Sequence, residues 1–378
     1  MTSTGVGASI QPRMDPTDRQ LAALGLFWPA LAFEYANEFA SAMTRQFAGR
    51  AADNTRETRA EPCWTNSNKV CLELGAVRLR DFSNGSNAAP VLICAPFALH
   101  GATIVDFAPQ HSLVAALQGA GIERVFVTDW RSATPDMRFW SIDDYLLTLN
   151  LLVDELGGAV QLVGLCQGGW LALIYASRFP GKVRKLALAG APIDIEAGKS
   201  KLSEMALETP MRFFNDLVEL GQGRVLGRQL LQCWTEELDR AAIHDLLQSS
   251  HASDSVPFRD LEMRFRDWHA CTLDLPGTYY LQAVEQLYKQ NRLARGSFVA
   301  LGRRINLSKL RCPLFLLAAR DDVVVAPDQL FAAERLVNGD CCTVSKAAAP
   351  CGHLGLFMGR EVLSTVWPDV ARWLQQPN

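Results

Sequence analysis

Cys166 lies in a glycine-rich segment whose residue types could support nucleophilic chemistry. The segment reads Gly-Leu-Cys-Gln-Gly-Gly, so Gly164, Gly168 and Gly169 flank the cysteine. An apolar run precedes it and a helix-length stretch follows, which is the setting of a nucleophile elbow, a tight turn between a strand and a helix. The turn would place the thiol at the helix N-terminus, where the thiolate is favoured, and the Gln167 amide would face a developing oxyanion. The alternative is a buried cysteine in a glycine-rich turn.

An acid and a histidine that could activate this thiol follow later in the chain, in the order that such an elbow requires. The apolar run Pro313–Ala318 predicts a strand, and Asp321 and Asp322 come soon after it. The D-x-V-V spacing favours Asp322 as the acid, with Asp321 as the alternative. His353 lies in a glycine-rich turn before a predicted closing helix, Val362–Leu374, and is the expected base. The other five histidines have no comparable setting.

The segment after the predicted strand Val91–Ala95 could supply a second donor to the oxyanion. An elbow pairs the amide that follows the nucleophile with an amide from the loop after an earlier strand. Phe97 lies in that loop and is the candidate for the second donor. His100 and Gly101 follow it and are candidates for the same loop.

These residues require a sheet that brings the ends of several strands together. Short runs rich in Val, Ile and Leu, separated by helix-length stretches, are typical of parallel strands buried on both faces. The alternation predicts an α/β fold with a mostly parallel central sheet, whose ligands bind at the carboxyl ends of the strands. The predicted strands are Val91–Ala95, Arg124–Thr128, Val160–Leu165, Lys185–Ala189, Pro313–Ala318 and Thr343–Ala347.

The alternation stops after the fourth of these strands and resumes near Leu314. Residues 193–305, which we call the cap segment, have aromatic and apolar residues at helical spacing and no convincing strand. They predict a helical insertion that could cover the site as a lid. The predicted organisation is a tail, an apolar helix and a linker, then two parts of one core on either side of the insertion, with boundaries at 1–62, 63–192, 193–305 and 306–378.

The N-terminal region contains a strongly apolar segment, Leu21–Phe33, and a polar linker, Ala48–Pro62. The apolar segment is too short to span a bilayer, and Asp15 and Asp18 argue against a secretory signal. Two interpretations remain open. The segment is either a helix that packs on the domain or a helix that lies on a hydrophobic surface.

Composition narrows the classes of function. Of the 378 residues, 49% are hydrophobic and 20% are charged, which is typical of a globular protein with a sizeable core. A net charge of −3 gives no reason to expect nucleic acid binding. The ten cysteines contain no C-x-x-C pair, and Cys341, Cys342 and Cys351 have no zinc-site spacing. We therefore expect no metal and a set of reduced, mostly buried thiols in a cytoplasmic protein.

Taken together, the motifs resemble the polyhydroxyalkanoate synthases, in particular their short form. The family has a lipase-like box with cysteine in place of serine, a strand ending in Trp-Arg, a downstream Asp-Asp-Tyr and a conserved stretch before its catalytic aspartate. The matching segments here are Gly164–Gly169, Phe126–Arg131 with Trp140, Asp143–Tyr145, Leu287–Leu293 and Ile305–Leu307. The likeness covers most of residues 65–375. It implies an α/β-hydrolase fold with a Cys166–His353–Asp322 catalytic triad.

The resemblance also implies a reaction. The enzyme would be an acyltransferase that polymerises 3-hydroxyacyl-coenzyme A into polyester through a thioester on Cys166. It would need no cofactor, because coenzyme A is the leaving group of the substrate. Its partners would be the acyl donor, the polyester chain, a second copy or a helper subunit, and the surface of a polyester granule.

Two other classes of function remain open on the same residues. The first is a hydrolase, either an intracellular polyester depolymerase or a thioesterase, that uses the same three side chains. The second is a catalytically idle relative that binds granules through Leu21–Phe33. Fold alone does not separate these classes, because related folds perform unrelated functions.

Overall fold

The computed structural model describes residues 61–85, 87–232, 256–337 and 342–377. The predictions for Leu21–Phe33 and for most of the linker therefore lie outside the described residues. Residues Glu61–Asn378 form one compact unit. Within the described ranges, no helix is long and apolar enough to cross a membrane.

The central sheet has eight strands in the order β1-β2-β4-β3-β5-β6-β7-β8. Strand β2 pairs antiparallel with β1 and with β4, and the pairings from β4 to β8 are parallel. This confirms the predicted α/β class with a mostly parallel sheet. The strands are β1 Lys69–Glu73, β2 Val77–Asp81, β3 Val91–Cys94, β4 Val125–Trp130, β5 Val160–Leu165, β6 Val183–Ala189, β7 Leu314–Ala319 and β8 Val344–Ala349.

The central strands are buried because helices cover the sheet. All residues of β3 and β7 are buried, and in β5 only Gln161 is half-buried. Such strands show continuous apolar runs instead of alternation, which is why the sequence located them. The edge strand β1 is mostly exposed, and its sequence has no such run.

Helices fill the connections between the strands. The helix Ile142–Glu155 begins with a capping box in which Ser141 and Asp144 bond reciprocally. The helices are α1 Leu113–Gly119, α2 Ile142–Glu155, α3 Gln167–Arg178, α4 Lys201–Glu208, α5 Met211–Leu220, α6 Gly227–Gln232, α7 Val256–Ala270, α8 Gly277–Gln282, α9 Pro327–Phe331, α10 Ala333–Leu336, α11 Gly355–Met358, α12 Arg360–Thr365 and α13 Trp367–Gln375. Short 3₁₀-helices span Ala102–Val105, Pro135–Met137 and Leu307–Lys309.

The closing helix differs from its prediction. The single helix expected over Val362–Leu374 is divided into α12 and α13 at Val366. Pro368, the second residue of α13, has no N–H to donate to the preceding turn. The break therefore follows from a proline that the apolar spacing does not reveal.

The cap segment also differs from its prediction. Its described residues include helices α4–α8 but also a π-helix, Ala283–Lys289. Where no strand was expected, Arg224–Val225 pairs with Leu275–Pro276, and Val299–Ala300 pairs with Arg303–Arg304. Strands of two residues are too short to produce a hydrophobic period. None of the described cap residues joins the central sheet, and the domain boundaries stay predictions.

The thiols are less buried than expected. Eight cysteines among the described residues are free, and only Cys94, Cys166 and Cys312 are buried. Cys63 and Cys71 are exposed because Cys71 lies on the edge strand β1 and Cys63 precedes it. The prediction of mostly buried thiols is therefore wrong for this part of the chain.

The small strands outside the sheet include one pair close to the core. Asp106–Ala108 pairs with His111–Ser112, just before α1. The Asp106 carboxylate is fully buried and accepts hydrogen bonds from Thr65, Asn66 and Ser112. These donors satisfy the hydrogen-bonding capacity of the buried carboxylate, so Asp106 has a structural role.

Candidate active site

The Cys166 turn has a strained backbone. Cys166 follows β5 directly and precedes α3, and its φ and ψ angles are 48° and −119°. A positive φ is uncommon for a residue with a side chain, and such outliers cluster at functional sites. The turn is held by the Cys166 amide, which donates to the Ala189 carbonyl at the end of β6 at 2.9 Å. The side chain lies in a nearly closed environment, with the residue 9% exposed.

The three glycines permit this turn because their neighbours leave no room for a side chain. A Cβ at Gly168 would lie 2.2 Å from the carbonyl oxygen of Cys94, the last residue of β3. A Cβ at Gly169 would lie 2.3 Å from the Cβ of Ala191, and a Cβ at Gly164 would lie 2.7 Å from the Cα of Gly169. Helix α3 therefore begins in direct contact with the ends of β3 and β5.

Asp322 and His353 come together at the carboxyl ends of β7 and β8. His353 Nδ1 lies 2.7 Å from Asp322 Oδ2, and the other carboxylate oxygen accepts from the amides of Val324 and Val325 at 2.8 Å each. Because a carboxylate only accepts, Nδ1 carries the proton and the other ring nitrogen is left for a second partner. Asp321 is exposed and does not contact the histidine in this way. Of the two sequence candidates, the structure brings Asp322 to His353.

The Cys166 thiol lies within electrostatic reach of the same imidazole. Burial alone would lower the pKa of His353, but the influence of Asp322, and then that of Cys166, raises it well above its ordinary value. The thiol and the hydrogen-bonded imidazole and carboxylate therefore lie close together at the strand ends. Such a group of side chains can move a proton off sulfur and hold the resulting imidazolium.

Close packing fixes the orientation of the His353 ring. Gly190, which follows β6, has a φ of 55°, and a Cβ there would lie 3.2 Å from the His353 Cε1. The Phe357 ring meets the imidazole edge-on, with 5.3 Å between the ring centroids. Glycine at position 190 thus both adopts the left-handed conformation and leaves space for the histidine.

The loop after β3 lies beside the elbow, because Gly168 touches its first residues. Phe97 in this loop is 2% exposed and packs on Tyr145 and Tyr279, at 4.7 and 5.3 Å between ring centroids. Its carbonyl accepts from the Tyr279 hydroxyl at 3.4 Å. Among the described residues, nothing accepts from its amide. The Gln167 amide lies in the first turn of α3, where backbone N–H groups have no acceptor within the helix.

His100 has a different setting from His353. Its ring packs on that of Trp268 of α7, with 4.3 Å between centroids and 40° between the ring planes, and its backbone bridges to Thr272. Burial, and then His269, lower the pKa of His100 to about 3, which keeps it neutral. The contacts of His100 with the described residues do not include Cys166.

Sequence reasoning missed a hydrogen-bonded network around the Gln167 side chain. The Trp170 indole donates to Gln167 Oε1 at 2.6 Å, and Gln167 Nε2 donates to the Tyr288 hydroxyl at 2.7 Å. Tyr288 comes from the π-helix of the cap segment, 121 residues away along the chain. The only sequence signal was the place of Tyr288 in the stretch that resembles the synthases.

The described residues contain no group of three or more His, Cys, Asp and Glu side chains that could hold a metal ion.

Sequence comparison finds relatives among polyester enzymes. A sequence model for the family described as "PHB de-polymerase C-terminus" matches residues 233–378. The poly(3-hydroxyalkanoate) polymerase subunit PhaC of Synechocystis sp. is 28% identical over 309 residues, 77% of this chain and 79% of the relative. The protein of the same name from Allochromatium vinosum is 25% identical over 296 residues, 76% of this chain and 82% of the relative.

Structural comparison agrees at the level of the fold. The crystal structure of Paleococcus ferrophilus monoacylglycerol lipase matches with a TM-score of 0.51 and 16% identity, covering 79% of this chain and 98% of the lipase. An identity this low shows the shared fold alone. The sequence matches agree with the resemblance seen in the motifs: the chain is similar to poly(3-hydroxyalkanoate) polymerase subunits, and it has the α/β fold that it shares with the lipase.

Proposed function

We propose that this protein is an acyltransferase that builds polyester from 3-hydroxyacyl-coenzyme A through a thioester on Cys166. His353 takes the thiol proton, and the sulfur attacks the thioester carbonyl of the substrate. The amides of Gln167 and Phe97 stabilise the oxyanion. The bond from carbonyl carbon to coenzyme A sulfur then breaks, and coenzyme A leaves with the proton returned by His353.

Chain growth follows from the same residues. The 3-hydroxyl of the accepting unit loses its proton to His353, and its oxygen attacks the carbonyl carbon of the acyl-cysteine. An ester bond forms, the bond to Cys166 breaks, and the sulfur recovers its proton from the imidazolium. Exchange of one thioester for another is nearly thermoneutral, so the acyl group stays activated for this second transfer.

The observation that supports the proposal most strongly is the 2.7 Å contact between the His353 imidazole and the Asp322 carboxylate, with the Cys166 thiol of the strained turn within electrostatic reach of that imidazole. All three side chains belong to residues that are at most 9% exposed. A site from which water is largely excluded suits transfer to a hydroxyl, because water is the competing nucleophile.

The contacts of Asp322 favour an orienting role over direct deprotonation of the incoming hydroxyl. Its side chain is 0% exposed. One oxygen accepts from two backbone amides and the other from His353, so the substrate has no approach to it. Asp322 therefore holds the imidazole in the tautomer that accepts from the thiol.

The relatives support synthesis over breakdown. Both of the curated relatives described above are named polymerase subunits. The term subunit also supports a partner chain, either a helper or a second copy. On this proposal coenzyme A is part of the substrate, no separate cofactor takes part, and the protein works in the cytoplasm at the surface of the growing polyester.

Hydrolysis is the second candidate, favoured by the depolymerase name of the matching family model. Purified protein incubated with 3-hydroxybutyryl-coenzyme A separates the two. We expect insoluble polymer together with free coenzyme A. Free 3-hydroxybutyrate with coenzyme A and no polymer would instead identify a hydrolase.

An idle granule-binding relative is the third candidate, and a truncated chain tests it. Deletion of residues 1–60 should leave coenzyme A release intact, because the described site lies wholly in residues 61–378. Absence of activity in both the full and the truncated chain would favour the binding protein.

A further inference from the structure

A buried hydroxyl from the cap segment adjoins the thiol site and has no role in the steps above. Tyr288 belongs to the π-helix Ala283–Lys289 and is 7% exposed. Its hydroxyl lies 2.7 Å from the side-chain nitrogen of Gln167, the residue that follows Cys166. π-Helices are rare and occur frequently at functional sites.

The direction of the Tyr288 proton follows from the chemistry of its neighbours. An indole N–H only donates, so the Gln167 atom 2.6 Å from the Trp170 nitrogen is the amide oxygen. The amide nitrogen of Gln167 therefore faces Tyr288, and there the phenol oxygen is the acceptor. The Tyr288 proton must point elsewhere, and no described residue accepts it.

The proton stays on Tyr288. Burial, and then the nearby Cys166, raise the pKa of the Tyr288 hydroxyl above its ordinary value. Tyr279 is also within electrostatic reach of Cys166, but its hydroxyl donates a hydrogen bond to the Phe97 carbonyl at 3.4 Å. Tyr288 thus holds an unused donor next to the thiol. A buried donor without a partner destabilises the folded protein unless a ligand satisfies it.

We propose that the Tyr288 hydroxyl donates a hydrogen bond to the oxygen on carbon 3 of the acyl group carried by Cys166, and so selects acyl groups that have an oxygen there. This rests on the proposed function. The carbonyl oxygen of the same group already has two donors, the amides of Gln167 and Phe97. Tyr288 interacts with Cys166 electrostatically without a hydrogen bond to it, which suits an oxygen two carbons removed from the carbonyl.

The test compares two acyl donors that differ only at carbon 3. Single-turnover release of coenzyme A is measured from 3-hydroxybutyryl-coenzyme A and from butyryl-coenzyme A. In Tyr288→Phe we expect release from the hydroxylated donor to fall about tenfold, while release from butyryl-coenzyme A is unchanged. Tyr145→Phe is the matched control, because it removes a buried hydroxyl that has no partner among the described residues and packs on the same Phe97 ring. It should keep the wild-type ratio.

A second variant covers the case in which Tyr288→Phe does not fold, which iodoacetamide labelling of Cys166 would reveal. In Gln167→Glu the carboxylate can only accept, so it takes the protons of both Trp170 and Tyr288. The ratio of the two release rates should again fall about tenfold, and any effect on the nucleophile cancels in that ratio.

Three results would overturn the assignment. If release from both donors falls equally, the hydroxyl acts on the carbonyl or the sulfur. If neither changes, Tyr288 is structural. If the wild-type protein releases coenzyme A from neither donor, the proposed function fails and this assignment fails with it.

Discussion

The carboxyl edge of the sheet and the cap segment are built in different ways. At the sheet edge, atoms approach so closely that a single added methyl would overlap backbone, as at Gly168 against Cys94. The described part of the cap segment consists of short helices, a π-helix and strands of two residues. It packs on the main hydrophobic core through side chains such as Phe265, Trp268 and Leu287, and polar contacts join it to the core as well. Arg224, for example, donates to the Ala133 carbonyl at 2.9 Å and pairs with Asp274 at 3.3 Å.

The difference indicates a division of labour. The nucleophile, base and acid all lie at strand ends, where close packing permits little movement. The cap segment supplies Tyr288, which faces the acyl group in our proposal. Changes at the sheet edge should therefore abolish chemistry or stability, whereas changes in the cap segment should alter the choice of substrate.

The largest effect is expected at the nucleophile. Cys166→Ala should lower release of coenzyme A from 3-hydroxybutyryl-coenzyme A by about 10⁴-fold or more, because it removes the sulfur that attacks the substrate. Iodoacetamide should abolish the wild-type activity, and Cys166→Ser should retain little of it. Cys71→Ser, which changes an exposed thiol on β1, is the control and should keep full activity. Robust turnover in Cys166→Ala would remove the nucleophile from the account.

The acid should give the next largest effect. Asp322→Asn leaves an amide opposite His353 Nδ1 and favours the wrong tautomer, so kcat should fall by about 10²- to 10⁴-fold. Asp321→Asn changes the exposed neighbour and should leave kcat within about twofold. Equal losses in the two variants would argue against the Asp322–His353 contact as the one that matters.

The packing of the elbow should appear in stability. In Gly168→Ala the new methyl would lie 2.2 Å from the Cys94 carbonyl oxygen, and we expect the free energy of unfolding to fall by about 3 kcal/mol. Gly181→Ala has nothing within 4 Å of its new methyl and should change it by less than about 0.5 kcal/mol. Urea unfolding followed by circular dichroism measures both. A stable Gly168→Ala protein would mean that α3 can move away from β3.

A smaller, pH-dependent effect tests the charge on His353. Burial opposes the charge, but Asp322 and Cys166 outweigh it, so the folded pKa of His353 is raised. Because the pKa of His353 is higher in the folded than in the unfolded protein, protonation of His353 stabilises the fold. This stabilisation is fully present below the pKa of the unfolded state, about 6.5, and is lost as pH rises through the pKa of the folded state. The unfolding free energy lost in His353→Gln should therefore be larger near pH 6 than near pH 9. A loss that grows with pH would contradict this sign.

The inner strands of the sheet could be predicted from sequence because they are buried on both faces, whereas β1 and β2 were not predicted. Each of the six predicted strands overlaps an observed one, and Val160–Leu165 has the same bounds. The elbow could be predicted because only a run of glycines permits the turn. These signals are local, since each lies within one strand and the turn that follows it.

The cap segment could not be predicted in the same way. Its paired strands Arg224–Val225 and Leu275–Pro276 lie fifty residues apart and are too short to show a period. The contact between Gln167 and Tyr288 depends on a π-helix, which shifts the side chain relative to ordinary helical spacing. Only tertiary structure brings these residues together.

The central claim is that the acyl group is carried on Cys166, and mass spectrometry of the peptides of the protein tests it most directly. Protein mixed with 3-hydroxybutyryl-coenzyme A, quenched in acid and digested should show one 3-hydroxybutyryl group on the peptide that contains Cys166. The adduct should disappear with hydroxylamine, which cleaves thioesters, and should be absent from Cys166→Ala. Turnover with no adduct on this peptide, or the same adduct in Cys166→Ala, would contradict the account.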